Sequence, residues 1–274
     1  MAEVVSQERQ AQPAASAQQP FFRHTKQEIL AHQRRFGLAY LVLAIGVGVA
    51  VGLGIVLIGR GSGHHAAAGV NGVTPTRSGE LGAKQIAASV GDKYRQADGA
   101  PLTSVVGERP NYQGAPLTYY LIRPHDAQYP KDIAVFPVGN GIMYSMCAFG
   151  ANCSTVSAGN NLNENLLLKR EALELSLNTF KADGSVQTVT TLLPPFRQGT
   201  TLTTFAIIFT RSNLAKWIHK PISSVLTARG PLKPGQVPSS ESRRIDSIEA
   251  GTLFTVDPAQ GPDGNPYFRL DPVP

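Results

Sequence analysis

The two cysteines of the chain are its clearest candidates for chemistry. Cys147 and Cys153 flank a short stretch that contains Gly150, and this spacing allows a disulfide. A catalytic thiolate would need a lowered pKa, which a sequence does not show, and a zinc site would need two more soft ligands. Inert free thiols are the remaining alternative. We predict the disulfide, which would stabilise the fold by about 2 kcal/mol and suits an oxidising location.

Histidine and carboxyl side chains could supply acid–base or metal chemistry. His125 and Asp126 are adjacent, and neighbours in a strand point to opposite faces, so a surface turn is favoured over a catalytic pair. Glu171 and Glu174 are three positions apart on a predicted helix, a spacing that could hold a cation. Because Arg170 stands beside them, we interpret this stretch as an ordinary solvated helix face.

The familiar nucleotide, hydrolase and metalloprotease motifs are missing from the sequence. It has no Walker A loop, no G-x-G-x-x-G, no G-x-S-x-G and no H-E-x-x-H. His64 and His65 lie in a segment without further ligands, which makes a poor metal site. The net charge of +6 comes from dispersed basic residues and does not support nucleic-acid binding. We assign no catalytic, cofactor-binding or metal-binding residue and expect no cofactor.

One long segment carries no ionisable side chain. Residues 36–59 are uncharged, with Arg34 and Arg35 before them and Arg60 after them. At about 1.5 Å per residue, a helix of this length exceeds the roughly 30 Å hydrocarbon core of a bilayer. A cleaved signal peptide is the alternative, but signal peptides have a shorter apolar stretch and a shorter leader. We predict a single-pass anchor with a transmembrane helix over residues 36–59.

Basic residues near this span predict its orientation. On the N-terminal side stand Arg23, Lys26, Arg34 and Arg35. On the C-terminal side, no lysine or arginine follows Arg60 until Arg77. Because cytoplasmic flanks carry the excess of lysine and arginine, the N-terminus should lie in the cytoplasm. Residues 60–274 should then lie outside the plasma membrane.

Small residues recur along the predicted transmembrane helix. They are Gly46, Gly48, Ala50, Gly52 and Gly54. A small residue at every fourth position lets two helices approach closely, which predicts a homo-oligomer or lateral pairing through this helix. Glycine is also frequent in membrane helices that do not pair, and this second interpretation stays open.

The segments that flank the span differ in composition. Residues 1–24 are rich in Gln, Ala and Ser and are predicted to form a disordered cytoplasmic tail. Thr25 and Glu28 form a capping box for a juxtamembrane helix over residues 25–35, whose basic side chains would face lipid headgroups. Residues 60–79 are small and polar and predict a flexible linker.

Residues 80–274 are long enough for one domain with its own core. Helical spacing predicts a helix over residues 80–96, a second that Asn161 caps and Asp183 ends, and a short helix over 213–227 broken at Pro221. Strand patterns cover residues 117–122, 133–138, 142–147, 185–193, 202–210, 252–256 and 267–270. A loop over 230–242 precedes the last two strands. The predicted class is α+β, a mainly antiparallel sheet with two or three helices on one face.

Three functions fit these observations. The leading one is a membrane-anchored, non-enzymatic interaction domain that binds a protein partner in the membrane or envelope, in an assembly or scaffold role. The first alternative is an envelope enzyme with a site assembled from distant residues. Its candidates are His125, Asp126 and His219. The second alternative is a small-ligand or glycan-binding domain with exposed aromatic side chains in a cleft. Its candidates are Tyr112, Tyr119 and Tyr120.

Overall fold

The computed structural model describes residues 68–69, 72–123, 133–148, 153, 162–198 and 200–273. These residues belong to one compact unit, His64–Pro274. The predicted cytoplasmic tail, juxtamembrane helix and transmembrane helix, over residues 1–59, lie outside the described residues. Within the described ranges, the structure contains no helix with the length and hydropathy needed to cross a bilayer.

The described residues form five helices and thirteen strands. The helices are α1 (Gly79–Gly91), α2 (Leu162–Ala182), α3 (Ala215–Ile218), α4 (Ile222–Val225) and α5 (Ser239–Glu249). The strands are β1 (Ala68–Gly69), β2 (Gly72–Val73), β3 (Ser104–Glu108), β4 (Asn111–Tyr112), β5 (Ala115–Pro116), β6 (Tyr119–Ile122), β7 (Ala134–Pro137), β8 (Gly141–Cys147), β9 (Thr188–Leu192), β10 (Phe196–Gln198), β11 (Thr201–Thr210), β12 (Leu253–Gln260) and β13 (Pro266–Pro272). The fold is therefore α+β, as the sequence predicts.

One mixed sheet of nine strands dominates the fold. Its order is β3-β8-β9-β11-β12-β13-β6-β7, and β10 pairs with the end of β11. Most neighbours are antiparallel, but β8 with β9 and β13 with β6 are parallel. A parallel pair needs a long crossover, and α2 provides it between β8 and β9. The sheet is thus mainly antiparallel, as predicted, with two parallel pairs that the strand patterns do not reveal.

The two faces of the sheet bury different cores. On β8, Tyr144 points toward the helices and its neighbour Met143 points to the opposite face, because strand side chains alternate. The sheet is rolled, and its second face forms the inner surface of the roll. The hydroxyl of Tyr120 on β6 donates to Thr190 on β9 over 3.1 Å, although three strands separate them in the sheet. The inner core therefore lies within the roll of the sheet itself.

Helix α2 is buried nearly all round. Its apolar side chains Leu173, Leu177 and Phe180 pack in the core, as their spacing predicts. The polar side also lies inside, because the residues that follow α1 and the first turn of α5 cover it: Lys93 and Glu241 both contact α2 residues. The solvated face expected around Arg170 is therefore wrong.

The sequence patterns do not predict every helix and strand correctly. Helix α5 begins at Ser239, inside the predicted loop, and buries Glu241, Ile245 and Glu249. Two of these three are acidic residues, so the sequence of this helix contains no apolar stripe that would predict it. Helix α1 ends at Gly91 rather than at residue 96, and β3, β4, β5 and β10 were not predicted. The cap assigned to Asn161 lies outside the described residues.

The first residues of the domain belong to the segment predicted to be a flexible linker, residues 60–79. Val73 on β2 is buried, and its backbone amide donates to Oδ1 of Asn178 on α2 over 2.6 Å. Gly72 approaches so closely that a Cβ there would lie 2.5 Å from the same oxygen. This segment is packed against α2 in the structure.

Candidate functional site

A buried ionic network lies on the polar side of α2. Its centre is Arg170, whose side chain is only 3% exposed. The guanidinium donates from Nε to Glu241 over 2.6 Å, from Nη1 to the hydroxyl of Tyr94 over 2.6 Å, and from Nη2 to the carbonyl of Ala228 over 2.7 Å. Arg170 therefore joins three separate parts of the chain to α2.

Two carboxylates balance the cations of this network. Glu174 accepts from Nζ of Lys93 over 2.6 Å and from the Tyr94 hydroxyl over 2.7 Å. Oε2 of Glu241 accepts from both backbone amides and the hydroxyl of the Thr227–Ala228 turn. Burial acts to raise the pKa of Glu241, but the hydrogen bonds from Thr227 and the charge of Arg170 hold it below its usual value. Glu241 is therefore a carboxylate at neutral pH.

Glu171 belongs to the same buried region, and its surroundings disfavour the charged form. Burial raises its pKa well above the usual range, and nearby Glu174 adds to the rise, whereas a contact with the Thr103 hydroxyl at 3.3 Å opposes it. Apart from Glu171, the network pairs Arg170 and Lys93 with Glu174 and Glu241. The spacing of Glu171 and Glu174 could have held a cation, but in the structure Nζ of Lys93 contacts Glu174.

A cleft of about 320 Å³ opens above the network. Arg170 and Glu174 line it together with Lys93, Ser223 and Arg229. Because Arg170 and Lys93 both donate to protein acceptors, the remaining cationic side chain that lines the cleft is that of Arg229. Glu171, the carboxyl with the strongly raised pKa in this region, is not among the lining residues. We interpret the network as a structural clamp beneath the cleft.

Glu249 is a further buried carboxyl, at the end of α5. Its side chain is 3% exposed, and neither oxygen has a hydrogen-bond partner within the part of the chain that the structure describes. Nζ of Lys169 lies 3.8 Å away. Burial raises the pKa of Glu249 to about 8, although Lys169 lowers it in part. The side chain is therefore mostly protonated at neutral pH.

The structure bonds the two cysteines to each other. Cys147 is the last residue of β8, and its Cα lies 4.5 Å from that of Cys153. The amide of Ala148 donates to the carbonyl of Cys153 over 3.1 Å, which closes the same loop a second time. The bond stays within one loop and connects no separate elements.

The other predicted site residues divide between described and undescribed parts of the chain. His219 ends α3 on the surface, whereas His125 and Asp126, the other two members of the proposed catalytic set, lie outside the described residues. The five small residues of the predicted membrane helix also fall outside them. In the ranges that the structure covers, no three His, Cys, Asp or Glu side chains are grouped to hold a metal ion.

The three tyrosines proposed for a common cleft do not line one cleft together, although Tyr112 and Tyr120 both pack on Phe268. Tyr120 is fully buried in the inner core. Tyr119, its neighbour in β6, points to the opposite, outer face and stacks on Tyr267 with centroids 5.5 Å apart. Tyr112 packs edge-to-face on Phe268 at 5.6 Å. Strand alternation alone separates Tyr119 from Tyr120, a signal that was available in the sequence.

An apolar surface lies on the outer face of β6 and β7 and continues to Tyr267 of β13, where the exposed side chains of Arg269 and Asp271 border it. We call it the outer-face surface; it consists of Tyr119, Leu121, Ile133, Val135, Pro137 and Tyr267. The β6–β7 register places Tyr119 beside Pro137 and Leu121 beside Val135. Val135 is 66% exposed and Ile133 is 41% exposed. An exposed apolar patch of this kind is typical of an interaction site.

The free edge of β7 borders this surface. The amide of Val138 donates to the carbonyl of Thr118 over 3.1 Å, so the even-numbered residues of β7 direct their backbone groups toward β6. The amides and carbonyls of Ile133 and Val135 consequently point away from the sheet, where no described strand pairs with them. No charged residue occurs from Ile133 to Val138, although charges commonly protect such edges.

Comparison with known proteins identifies no relative: no protein-family model, curated protein or solved structure matches this chain.

Proposed function

We propose that this protein is a single-pass membrane protein that presents its α+β domain outside the plasma membrane, where it binds another protein. The uncharged segment over residues 36–59 and the basic residues before it support the anchor and its orientation. The small residues of that helix support pairing within the bilayer. In this proposal the role is assembly or scaffolding in the envelope, without catalysis.

The outer-face surface carries the proposal. It combines exposed aliphatic side chains with a stacked pair of tyrosines, and tyrosine is enriched at protein interfaces. The backbone of Ile133 and Val135 offers unpaired donors and acceptors along its margin. An extended segment of a partner that adds to β7 would satisfy these groups and cover the apolar side chains together.

A partner strand could pair with the edge of β7 over only a short stretch. Pro137 has no amide hydrogen, so the outward edge of β7 offers the amides of Ile133 and Val135 but none at residue 137. A partner strand would therefore make few backbone hydrogen bonds. Most of the stabilisation should come from side chains that cover Val135 and the Tyr119–Tyr267 pair.

Photo-crosslinking of the full chain in its native membrane tests this function. A photoreactive amino acid at Val135 should capture one defined partner, and the same probe at exposed Leu81 on α1 should not. In the chain without the photoreactive residue, Val135→Lys should abolish co-purification of that partner, because a buried unpaired charge opposes binding. Leu81→Lys, which makes the same change on another exposed apolar residue, should leave it intact.

Two results would contradict the proposal. One is equal crosslinking from the probes at positions 135 and 81, which would indicate non-specific contact. The other is a partner that Val135→Lys retains with unchanged yield. In either case the outer-face surface would not be the binding site.

A further inference from the structure

We infer that a second cleft, at the hairpin end of the rolled sheet, binds a neutral glycan. The cleft has a volume of about 420 Å³, within the range of about 300–1,000 Å³ typical of small-ligand sites. It lies between the β4–β5 turn and the β12–β13 hairpin. The lining residues whose chemistry favours a glycan are Tyr112, Gln113, Pro258, Gln260 and Pro266.

The lining of this cleft carries no charge. None of its lining residues is acidic or basic, although Asp257 and Arg269 lie nearby as an exposed ion pair. The register of β12 with β13 pairs Pro258 with Phe268 and Gln260 with Pro266, so the cleft continues the inner face of the roll. A ligand recognised here is uncharged, and the mouth of a rolled sheet is a common place for such a site.

The polar groups of the cleft match hydroxyls. Gln113 and Gln260 are both exposed, and each amide offers two donors and one acceptor oxygen. The Gln113 amide nitrogen lies 3.3 Å from the Tyr112 hydroxyl, which places both groups at one end of the cleft. A sugar hydroxyl both donates and accepts, so amide side chains can satisfy it in either direction.

The aromatic group is held rigidly. Tyr112 is half-buried, and its ring stands at 78° to that of Phe268, itself only 1% exposed. Core packing therefore fixes the orientation of the ring before any ligand binds, which lowers the entropy cost of binding. The C–H groups of a pyranose can pack against an aromatic side chain that is fixed in this way.

The β4–β5 turn supports the same inference. Gln113 has φ of +53° and Gly114 has φ of +83°, the backbone of a two-residue turn that favours Asn-Gly. Glutamine is uncommon in this left-handed region, and strained backbone is often retained at binding sites. The turn holds an amide side chain beside Tyr112, where glycine would leave that position empty.

This inference concerns a different surface from the one proposed to bind a protein, and it shares with the proposed function only the external location of the domain. The glycan cleft continues the inner face, whereas the outer-face surface lies on the opposite side of the same strands. Loss of protein binding through Val135→Lys would not affect the cleft, and loss of glycan binding would not affect the protein partner.

Saturation-transfer NMR on the full chain in nanodiscs tests the inference, with chitotetraose, cellotetraose and maltotetraose as probes. At least one should give signals. Tyr112→Leu should weaken its binding by about tenfold through loss of the ring, and Gln260→Ala by several-fold. Tyr119→Leu, on the outer face, should leave binding unchanged. Gln113→Gly should weaken binding while the thermal midpoint is retained or raised, because glycine adopts this backbone without strain.

The result that overturns the inference is absence of signal with all three probes. Equal loss of binding in Tyr112→Leu and Tyr119→Leu would overturn it too. If Tyr112→Leu unfolds, Gln260→Ala decides, because this exposed side chain is outside both cores. Unchanged binding in that variant would then reject the cleft.

Discussion

Buried glutamates differ in charge because their neighbours differ. Glu241 accepts hydrogen bonds from Thr227, Ala228 and Arg170, and its pKa is lowered despite burial. Glu171 has a weak contact with Thr103, and its pKa is raised. Glu249 has no hydrogen-bond partner among the described residues, and burial raises its pKa to about 8. Hydrogen bonding rather than depth of burial decides which carboxyl is ionised.

Glu249 should make stability depend on pH. Its pKa rises from 4.5 to about 8 on folding, so between these values the folded state holds a proton that the unfolded state has lost. The contribution of this group is therefore fully present below pH 4.5 and decreases as the pH rises toward 8. Glu249→Gln removes this dependence. As the pH rises, the free energy of unfolding of the variant should therefore increase relative to that of the unmodified protein, by up to about 1.4 kcal/mol per pH unit.

Urea unfolding at pH 5 and pH 8 measures the effect. The chain has one tryptophan, Trp217, and its fluorescence reports on the folded domain. Glu80→Gln on the exposed side of α1 is the matched control and should show the same pH dependence as the unmodified chain. An equal effect of Glu249→Gln at both pH values would mean that the buried carboxyl does not titrate as described.

At the scale of elements, the sequence predicts best what depends on local spacing. The apolar rows of α2 and the apolar stretches of β8 and β11 mark these elements correctly. The pair Arg170–Glu174 also forms, with 3.3 Å between Nη1 and Oε2. Its burial could not be predicted, because the covering groups, Lys93 and Glu241, are distant in sequence. Helix α5 was missed for the related reason that its buried face carries two glutamates and only one apolar side chain, Ile245.

The outer-face surface also depends on distant residues. Alternation within β6 separates Tyr119 from Tyr120, but only the parallel pairing of β13 with β6 brings Tyr267 beside Tyr119. The sequence patterns indicate the strands without their order. A candidate site made from the faces of several strands therefore becomes visible only in the folded sheet.

The ionic network should act as a clamp between elements. Arg170→Ala leaves Glu241 buried without its cation, which should lower the free energy of unfolding by about 3–5 kcal/mol. Arg229→Ala removes the same charge from the exposed rim of the cleft and should change it by less than about 0.5 kcal/mol. Urea unfolding followed through Trp217 compares the two variants. Similar small losses in both would show that the network does not hold α5 to α2.

At the scale of the whole molecule, the position of the domain relative to the membrane connects the separate proposals. An external location offers oxidising conditions for the Cys147–Cys153 bond, envelope proteins for the outer-face surface, and glycans for the inner cleft. All three depend on the orientation predicted from the basic residues before residue 36. A reversed orientation would expose the domain to the reducing cytoplasm.

Single-cysteine labelling in intact cells decides the orientation. The background is Cys147→Ser with Cys153→Ser, which should still fold, because the disulfide closes one loop and its loss costs about 2 kcal/mol. An impermeant thiol reagent should label Ser239→Cys, at the exposed start of α5, if residues 60–274 lie outside as proposed. Ser6→Cys should react only after the membrane is permeabilised. Labelling of position 6 but not of position 239 in intact cells would reverse the topology, and the external protein and glycan partners would then have no access to the domain.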